Sequence, residues 1–260
     1  MVNKNSRIYV SGSRGFVGST LVKKLTELGY KNIITSKKVD LTNQSQTDFF
    51  FRDSEIEYVF NCAAIVGGIA ANIKNPFKFL MDNLQIQNNI VNSSIKYHIK
   101  KVVMLGSSCI YPKDFPSQPL KEEYLLEGKL EPTNEAYALA KIVGLKAAEY
   151  ANKIGNTGFI SLMPSNLYGP NDHFNLETSH ALAASIMKIK QANDDKSYQV
   201  NVWGSGKQQR EWLYIDDLID CLIWSMNNLE KTDTFLNVGT GKDISMNDLV
   251  ETISLAFRYI

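Results

Sequence analysis

The feature that most constrains this chain is an alternation. Through the first 165 residues, short β-rich apolar runs trade places with longer amphipathic segments: RIYVSG, then Phe16 to Leu28; NIITS, then Gln44 to Phe51; YVFNCAA, then Phe77 to Tyr97; KVVMLGS, then Asn134 to Ile154; and GFISLMP. Short runs rich in β-branched and aromatic residues suit strands, and the longer segments suit helices. Strands that return through helices build a parallel sheet covered on both faces. The expected fold is therefore α/β, a doubly wound parallel sheet, and such sheets bind ligands beyond the carboxyl ends of their strands.

After about residue 165 the pattern changes. NLYGPNDHF reads as a loop, followed by a helix near Ser179 to Ala192, a short strand YQVNVWG, a helix from Asp216 to Leu229, then FLNVGT and a helical SMNDLVETISLAFRYI. The expected division is a larger domain built on the parallel sheet at 1–165, joined by about 209–218 and 234–240, and a smaller lobe at 166–208 and 219–260. A 260-residue chain that is 44% apolar can bury such a core. Its net charge of +1 gives no basic excess for nucleic acid or anionic lipid, so neither is an expected partner. MVNKNSRIYV has no signal-like apolar segment, and no run approaches the roughly 20 residues that span a bilayer. A cytoplasmic protein is expected. Cys62, Cys109 and Cys221 are odd in number and lack CxxC pairing, which points to reduced thiols and no metal site.

VSGSRGFVGSTLVKKL places Gly12, Gly15 and Gly18 directly after the first strand and at the start of a helix. Such glycines serve a tight turn, close approach of a pyrophosphate to the positive helix end, and close helix packing. The alternative is a purely structural turn. After the second strand, where an acidic residue favours NAD, the chain offers Thr35, Ser36, Lys37 and Lys38, with Arg14 in the glycine loop. A cationic rim suits a 2′-phosphate, so NADP(H) is the expected cofactor, unless the lysines are simply solvated. Asp40 follows, placed to meet the adenine.

Tyr137 and Lys141 stand four apart on one helix face. A nearby ammonium favours phenolate, so Lys141 is expected to draw the Tyr137 pKa down. In an extended segment Ser107 and Cys109 point to one side with Ser108 opposite, which would let Ser107 bond the carbonyl that Tyr137 protonates. Cys109 is either a reactive thiol or a small core hydrophobe. His180 is either a functional imidazole or a capping residue behind Ser179, with His173 its nearest rival. His98, amid KYHIKK, reads as surface.

Ser107, Tyr137, Lys141 and the glycine loop resemble the signature of short-chain dehydrogenases/reductases. Within that superfamily GSSCIYP, LEPTNEAYALAK, MPSNLYGPND, SHALAA and VWGSGKQQREWLYIDDL are similar, in order from Ile8 to about Leu255, to the GDP-L-fucose synthase family. The resemblance implies a Rossmann-type fold and a two-stage reaction on GDP-4-keto-6-deoxy-D-mannose: inversion at carbons 3 and 5, then reduction of the carbon 4 ketone with NADPH. It makes Cys109 the base, His180 the acid on the other face, and Ser107, Tyr137 and Lys141 the group that holds and protonates the ketone oxygen. Around the cofactor it implies Gly12, Ser13, Arg14, Gly15, Phe16, Val17, Gly18, Lys37, Asp40, Ala63, Asn83, Lys141, Pro164, Asn166, Leu167 and His180. Around the sugar nucleotide it implies Ser108, Asn166, Lys188, Trp203 and Arg210. Asn83 and Asn166 read equally well as ordinary loop or helix hydrogen bonders. Lys188 stands where the family carries arginine, keeping the cation but not the bidentate fork. Members of the family run on past the position of Ile260, so a shortened substrate lobe is expected.

Two other readings fit the residues: a carbon 4 reductase of a related GDP-keto-6-deoxy sugar or heptose without epimerisation, and a non-catalytic NADP-binding regulatory protein. The segments Phe77 to Tyr97 and Asn134 to Ile154 are apolar on more than one face, which suggests a homodimer through a four-helix contact.

Overall fold

A computed structural model describes residues 2–35, 39–114, 118–175, 179–197, 199–202, 204–230 and 234–258. Along the chain the first half contains β1 (Arg7–Ser11), α1 (Phe16–Glu27), β2 (Asn32–Thr35), α2 (Gln44–Ser54), β3 (Tyr58–Asn61), α3 (Ile69–Lys74), α4 (Pro76–Lys96) and β4 (Lys101–Leu105). The second half contains α5 (Glu135–Ile154), β5 (Gly158–Pro164), β6 (Asn166–Tyr168), α6 (Ala181–Asp194), β7 (Gln209–Tyr214), α7 (Ile215–Asn228), β8 (Phe235–Val238), β9 (Asp243–Ser245) and α8 (Met246–Arg258).

Six strands pair in the order β2-β1-β3-β4-β5-β8, all parallel. Successive residues along each strand face opposite sides, and both sides are packed, which is why the strands read as near-continuous apolar runs. Ile8, Val10, Phe60, Val103, Ile160 and Leu162 join one core with Leu21 and Leu25 of α1. Tyr9, Val59, Val102, Met104 and Phe159 join the other with Phe51, Ile86, Ile90 and Ala148 from α2, α4 and α5. The chain leaves β1 outward to β2 and returns on the other side as β3, so the loops after β1 and β3 diverge. That switch point opens a crevice at their carboxyl ends.

A second, three-stranded sheet has the order β6-β7-β9, with β6 and β7 parallel and β7 and β9 antiparallel. Two boundaries expected from the sequence need correction. Residues 209–214, grouped there with the large domain, form β7 of the small sheet. Most of α7, grouped with the lobe, packs on the large sheet, because Ile215, Leu218, Ile219, Leu222 and Met226 form an apolar stripe that completes the core beside α1. The strand expected at YQVNVWG is not formed at residues 199–202, where the Asn201 carbonyl accepts from Lys188 Nζ (3.0 Å). Among the described residues no helix is long and apolar enough to cross a membrane, and no group of three His, Cys, Asp or Glu side chains is arranged to hold a metal.

Candidate active site

The glycine loop lies at the switch point. Gly12 has φ +63°, and a Cβ there would sit 2.8 Å from the Cys62 carbonyl oxygen and 2.9 Å from the Ala63 nitrogen. A Cβ on Gly18 would overlap the Gly12 carbonyl. Both positions need glycine for backbone reasons. Gly15 is the N-cap of α1, with its N–H on the Gly12 carbonyl (2.9 Å) and no side chain closing the first turn. The amide groups of that turn are thus left for an anion. Phe16 and Val17 pack onto the sheet, Ser13 is half-buried, and Arg14 is exposed with no partner among the described residues.

Opposite, Ser11 Oγ donates to Asn61 Oδ1 (2.7 Å) and accepts from the Ala63 N–H (3.1 Å), tying the two strand ends together. Asn83 is 1% exposed and fully engaged: it accepts from the Ile65 N–H (2.8 Å) and donates to the Ile65 carbonyl (3.0 Å) and the Phe79 carbonyl (2.7 Å). It shapes the loop after β3 and has no free donor for a ligand. Asp40 Oδ1 accepts from the Thr42 N–H (2.9 Å) and Oγ1 (2.7 Å), and these bonds hold its carboxyl below the usual range. Lys37 lies outside the described residues.

The reactive side chains gather past the end of β4. A one-turn 3-10 helix, Ser108–Ile110, follows the strand, and Ser107 Oγ accepts the Cys109 N–H (3.4 Å). The extended geometry expected at 107–109 is therefore absent, because the serine hydroxyl competes for the backbone and draws the chain into a turn. Ser107 lies near enough to the Cys109 thiol and the Tyr137 phenol to oppose the rise in both of their pKa values. On α5, Lys141 Nζ lies 5.7 Å from the Tyr137 ring centroid and donates to the Leu105 carbonyl (2.7 Å). The Phe79 ring meets Tyr137 edge-on at 6.4 Å.

Burial dominates the electrostatics. It pushes the Tyr137 phenol well above its ordinary value, with the Cys109 charge adding to the rise and Ser107 opposing it. The expected lowering by Lys141 is not found, because burial outweighs it. Lys141 itself is pulled down to about 8 by burial, against the attraction of Cys109 and Cys62. Burial also raises the Cys109 thiol, with Ser107 and Lys141 partly offsetting it, and raises Cys62 to about 12.

His180 is exposed and is the N-cap residue of α6, without a side-chain capping bond. Ser179, the expected cap, instead accepts from the Asn175 N–H (2.6 Å) and donates to the His173 carbonyl. His180 makes no hydrogen bond to the Ser107, Cys109 and Tyr137 group. Half-buried Asp172 has its carboxyl raised by burial, against the opposing effect of the His173 N–H and of the His180 and His173 imidazoles. Pro164 ends β5 buried, and Leu167 packs against the core beside α7. Asn166 Nδ2 donates to the Glu211 carbonyl (2.9 Å), Ser108 is exposed on the turn, and exposed Arg210 Nη1 donates to the Gln209 carbonyl (2.7 Å). Trp203 lies outside the described residues.

Residues 8–239 match the NAD dependent epimerase/dehydratase family. The chain belongs to that family. Among its relatives, GDP-L-fucose synthase 1 of Arabidopsis thaliana is 42% identical over 255 residues, covering 97% of this chain and 78% of the relative. A crystal structure of a GDP-L-fucose synthetase from Naegleria fowleri bound to NADP has a TM-score of 0.90 at 28% identity, covering 100% of this chain and 80% of that one. A GDP-mannoheptose C4 reductase from Campylobacter jejuni with NADP bound also has a TM-score of 0.90, at 32% identity, covering 98% and 86%.

In this epimerase/dehydratase family chain, the site offers two hydroxyls, Ser107 and Tyr137, near one another, a thiol beside them and a buried amine behind. Hydroxyls so placed can stabilise an oxyanion, and the thiol can exchange protons on a neighbouring carbon. Sequence reasoning missed Cys62, whose proximity to Lys141 is created by β3 lying next to β4. It also missed the Leu105 carbonyl as the lysine's partner. The position of Cys62 at a strand end in YVFNCAA was the only available signal.

Proposed function

We infer that the chain is an NADP(H)-dependent enzyme that epimerises carbons 3 and 5 of GDP-4-keto-6-deoxy-D-mannose and reduces its carbon 4 ketone, giving GDP-L-fucose. The observation that carries this reading is the gathering of Ser107, Cys109, Tyr137 and Lys141 at one strand end, in a chain so similar to GDP-L-fucose synthases. A protein that only bound a cofactor would have no use for a lysine buried at the expense of its charge.

The glycine cradle and the uncapped first turn of α1 fit a dinucleotide diphosphate, and the free Arg14 guanidinium fits a 2′-phosphate. Bound NADPH supplies the hydride for the ketone carbon. In the proposed mechanism the Cys109 thiolate removes a proton from the carbon beside the ketone. Ser107 and Tyr137 hydrogen-bond the oxygen on which the enolate charge develops, and His180 returns a proton on the opposite face. For reduction Tyr137, kept protonated by burial, gives its proton to the alkoxide, and Lys141 supports that transfer with its charge. Ala63, Pro164 and Leu167 would border the cofactor, and Ser108, Asn166, Lys188, Trp203 and Arg210 the sugar nucleotide. We place the protein in the cytoplasm as a homodimer joined through α4 and α5.

A second reading, carbon 4 reduction of a related GDP-sugar without epimerisation, is supported by the exposure of His180, which makes no hydrogen bond to Cys109, and by the likeness to the Campylobacter reductase. One experiment separates them. The ketosugar is incubated in deuterated buffer without NADPH, then NADPH oxidation is followed. Label at carbons 3 and 5 supports the epimerase; oxidation without label supports the plain reductase; neither defeats both.

A further inference from the structure

The strand β8 carries a residue that the reaction does not touch but that holds the reactive turn. Asn237, in FLNVGT, pairs with Met163 across the ladder between β5 and β8. Its side chain accepts from Tyr111 Oη (2.6 Å) at Oδ1 and donates from Nδ2 to the Leu120 carbonyl (3.1 Å). Its backbone N–H, facing outward from the last strand of the sheet, donates to Glu122 Oε1 (2.7 Å). An edge strand's outward N–H groups need a partner, and here a carboxylate supplies it.

Tyr111 directly follows the 3-10 turn that bears Cys109. It is 4% exposed, and its ring lies in a core of Ile110, Ala138, Ile142, Leu145 and Met163 against which Cys109 packs. The other end of the turn is fixed to the same place. The Gly106 N–H donates to the Leu162 carbonyl (2.8 Å), and a Cβ on Gly106 would overlap the Met163 side chain. The segment 106–111 is thus pinned at both ends to one small region of β5 and β8.

We propose that the Tyr111–Asn237 hydrogen bond is a clamp that positions Cys109 for proton exchange, making Tyr111 and Asn237 positioning residues for epimerisation and not for hydride transfer. The reasoning is geometric. Ser107 is held from the strand side by the Gly106 N–H bond to the Leu162 carbonyl and Tyr137 is held by α5, so loosening the far end of the turn disturbs both less than it disturbs Cys109. Cys109 sits inside the turn, two residues from the clamp, and a base displaced by a fraction of an ångström loses much of its rate. The proposal rests on the epimerase reading.

The test compares Tyr111→Phe, Asn237→Ala and the double variant by two readouts: deuterium uptake at carbons 3 and 5 of the ketosugar without NADPH, and NADP+-dependent oxidation of GDP-L-fucose, which needs no epimerisation. Tyr111→Phe removes one oxygen and keeps the ring in the core. Exchange is expected to fall on the order of tenfold with oxidation held within about twofold, and the double variant to be no worse than the weaker single, as for one shared interaction. Equal losses in both readouts, or unchanged exchange in Tyr111→Phe, overturn the clamp while leaving the epimerase reading intact. A wild-type chain that oxidises GDP-L-fucose yet takes up no deuterium overturns the epimerase reading, and the clamp with it.

Discussion

Lys141 is 5% exposed, and a charged amine in that setting works against folding. Its pKa falls from 10.5 to about 8, and at about 1.4 kcal/mol per pH unit this is a cost on the order of 3 kcal/mol. Between pH 8 and 10.5 the unfolded chain holds a proton that the folded chain has released, so stability from this group rises with pH across that window, and below 8 the whole cost is present. Lys141→Met is therefore expected to gain up to about 3 kcal/mol in urea unfolding at pH 7, less the lost bond to Leu105, and to lose NADPH oxidation. The two proposed half-reactions should also diverge with pH. Burial raises Cys109, so deuterium exchange should climb as pH rises and thiolate forms. Ketone reduction should decline above pH 8, as Lys141 loses its charge. Parallel kcat/KM profiles for the two steps would refute these assignments. At this scale the residue types were legible in the sequence, because periodicity places Tyr137 and Lys141 on one helix face and Ser107 at a strand end, and the resemblance to short-chain dehydrogenases/reductases joins the three. Their pKa values were not, since burial depends on packing from α4, β3 and the turn after β4.

Elements meet closely where glycine allows it. Gly18 lets α1 sit against the Gly12 carbonyl, and Gly144 lets α5 approach α4 so that buried Gln87 donates to the Ala140 carbonyl (3.0 Å). An added methyl at Gly18 meets rigid backbone, so Gly18→Ala is expected to cost about 1–3 kcal/mol and to weaken NADPH binding by about tenfold, read by fluorescence titration. Gly144→Ala would overlap the Gln87 amide, a side-chain end that can shift at the expense of its bond to the Ala140 carbonyl, and should cost less than Gly18→Ala, whereas at Gly155, where an added Cβ would come no closer than 3.6 Å to any neighbour, alanine should be nearly neutral. Thermal unfolding of the three variants decides whether close approach, and not glycine as such, is what matters. The alternation of runs revealed β1 to β5 and the helices α1, α2, α4 and α5, and passed over the short α3. It concealed the 3-10 turn, which depends on one hydroxyl turning back to the chain. It also misassigned β7, whose partners β6 and β9 are far away in sequence, because pairing at that separation leaves no local period.

Over the whole molecule, both faces of the large sheet are covered, yet apolar side chains remain outside. On α5, Leu139, Val143, Tyr150 and Ile154 are exposed along one stripe, and Phe77 and Met81 are exposed on the first turns of α4, which packs beside it. Spacings of four, seven and four keep the α5 residues on a single face, so the stripe is continuous and not scattered. An apolar stripe of this extent on two adjacent helices matches the surface that a two-fold partner would bury, each copy offering the same pair of helices to the other. The proposed dimer can be tested at Val143, which is 45% exposed. Val143→Lys would put an ammonium group in the middle of the apolar stripe of each copy and should convert a dimer to a monomer by light scattering, with helix content unchanged. A wild-type chain that is monomeric at micromolar concentration, or a variant that still dimerises, would show that this stripe is not the contact.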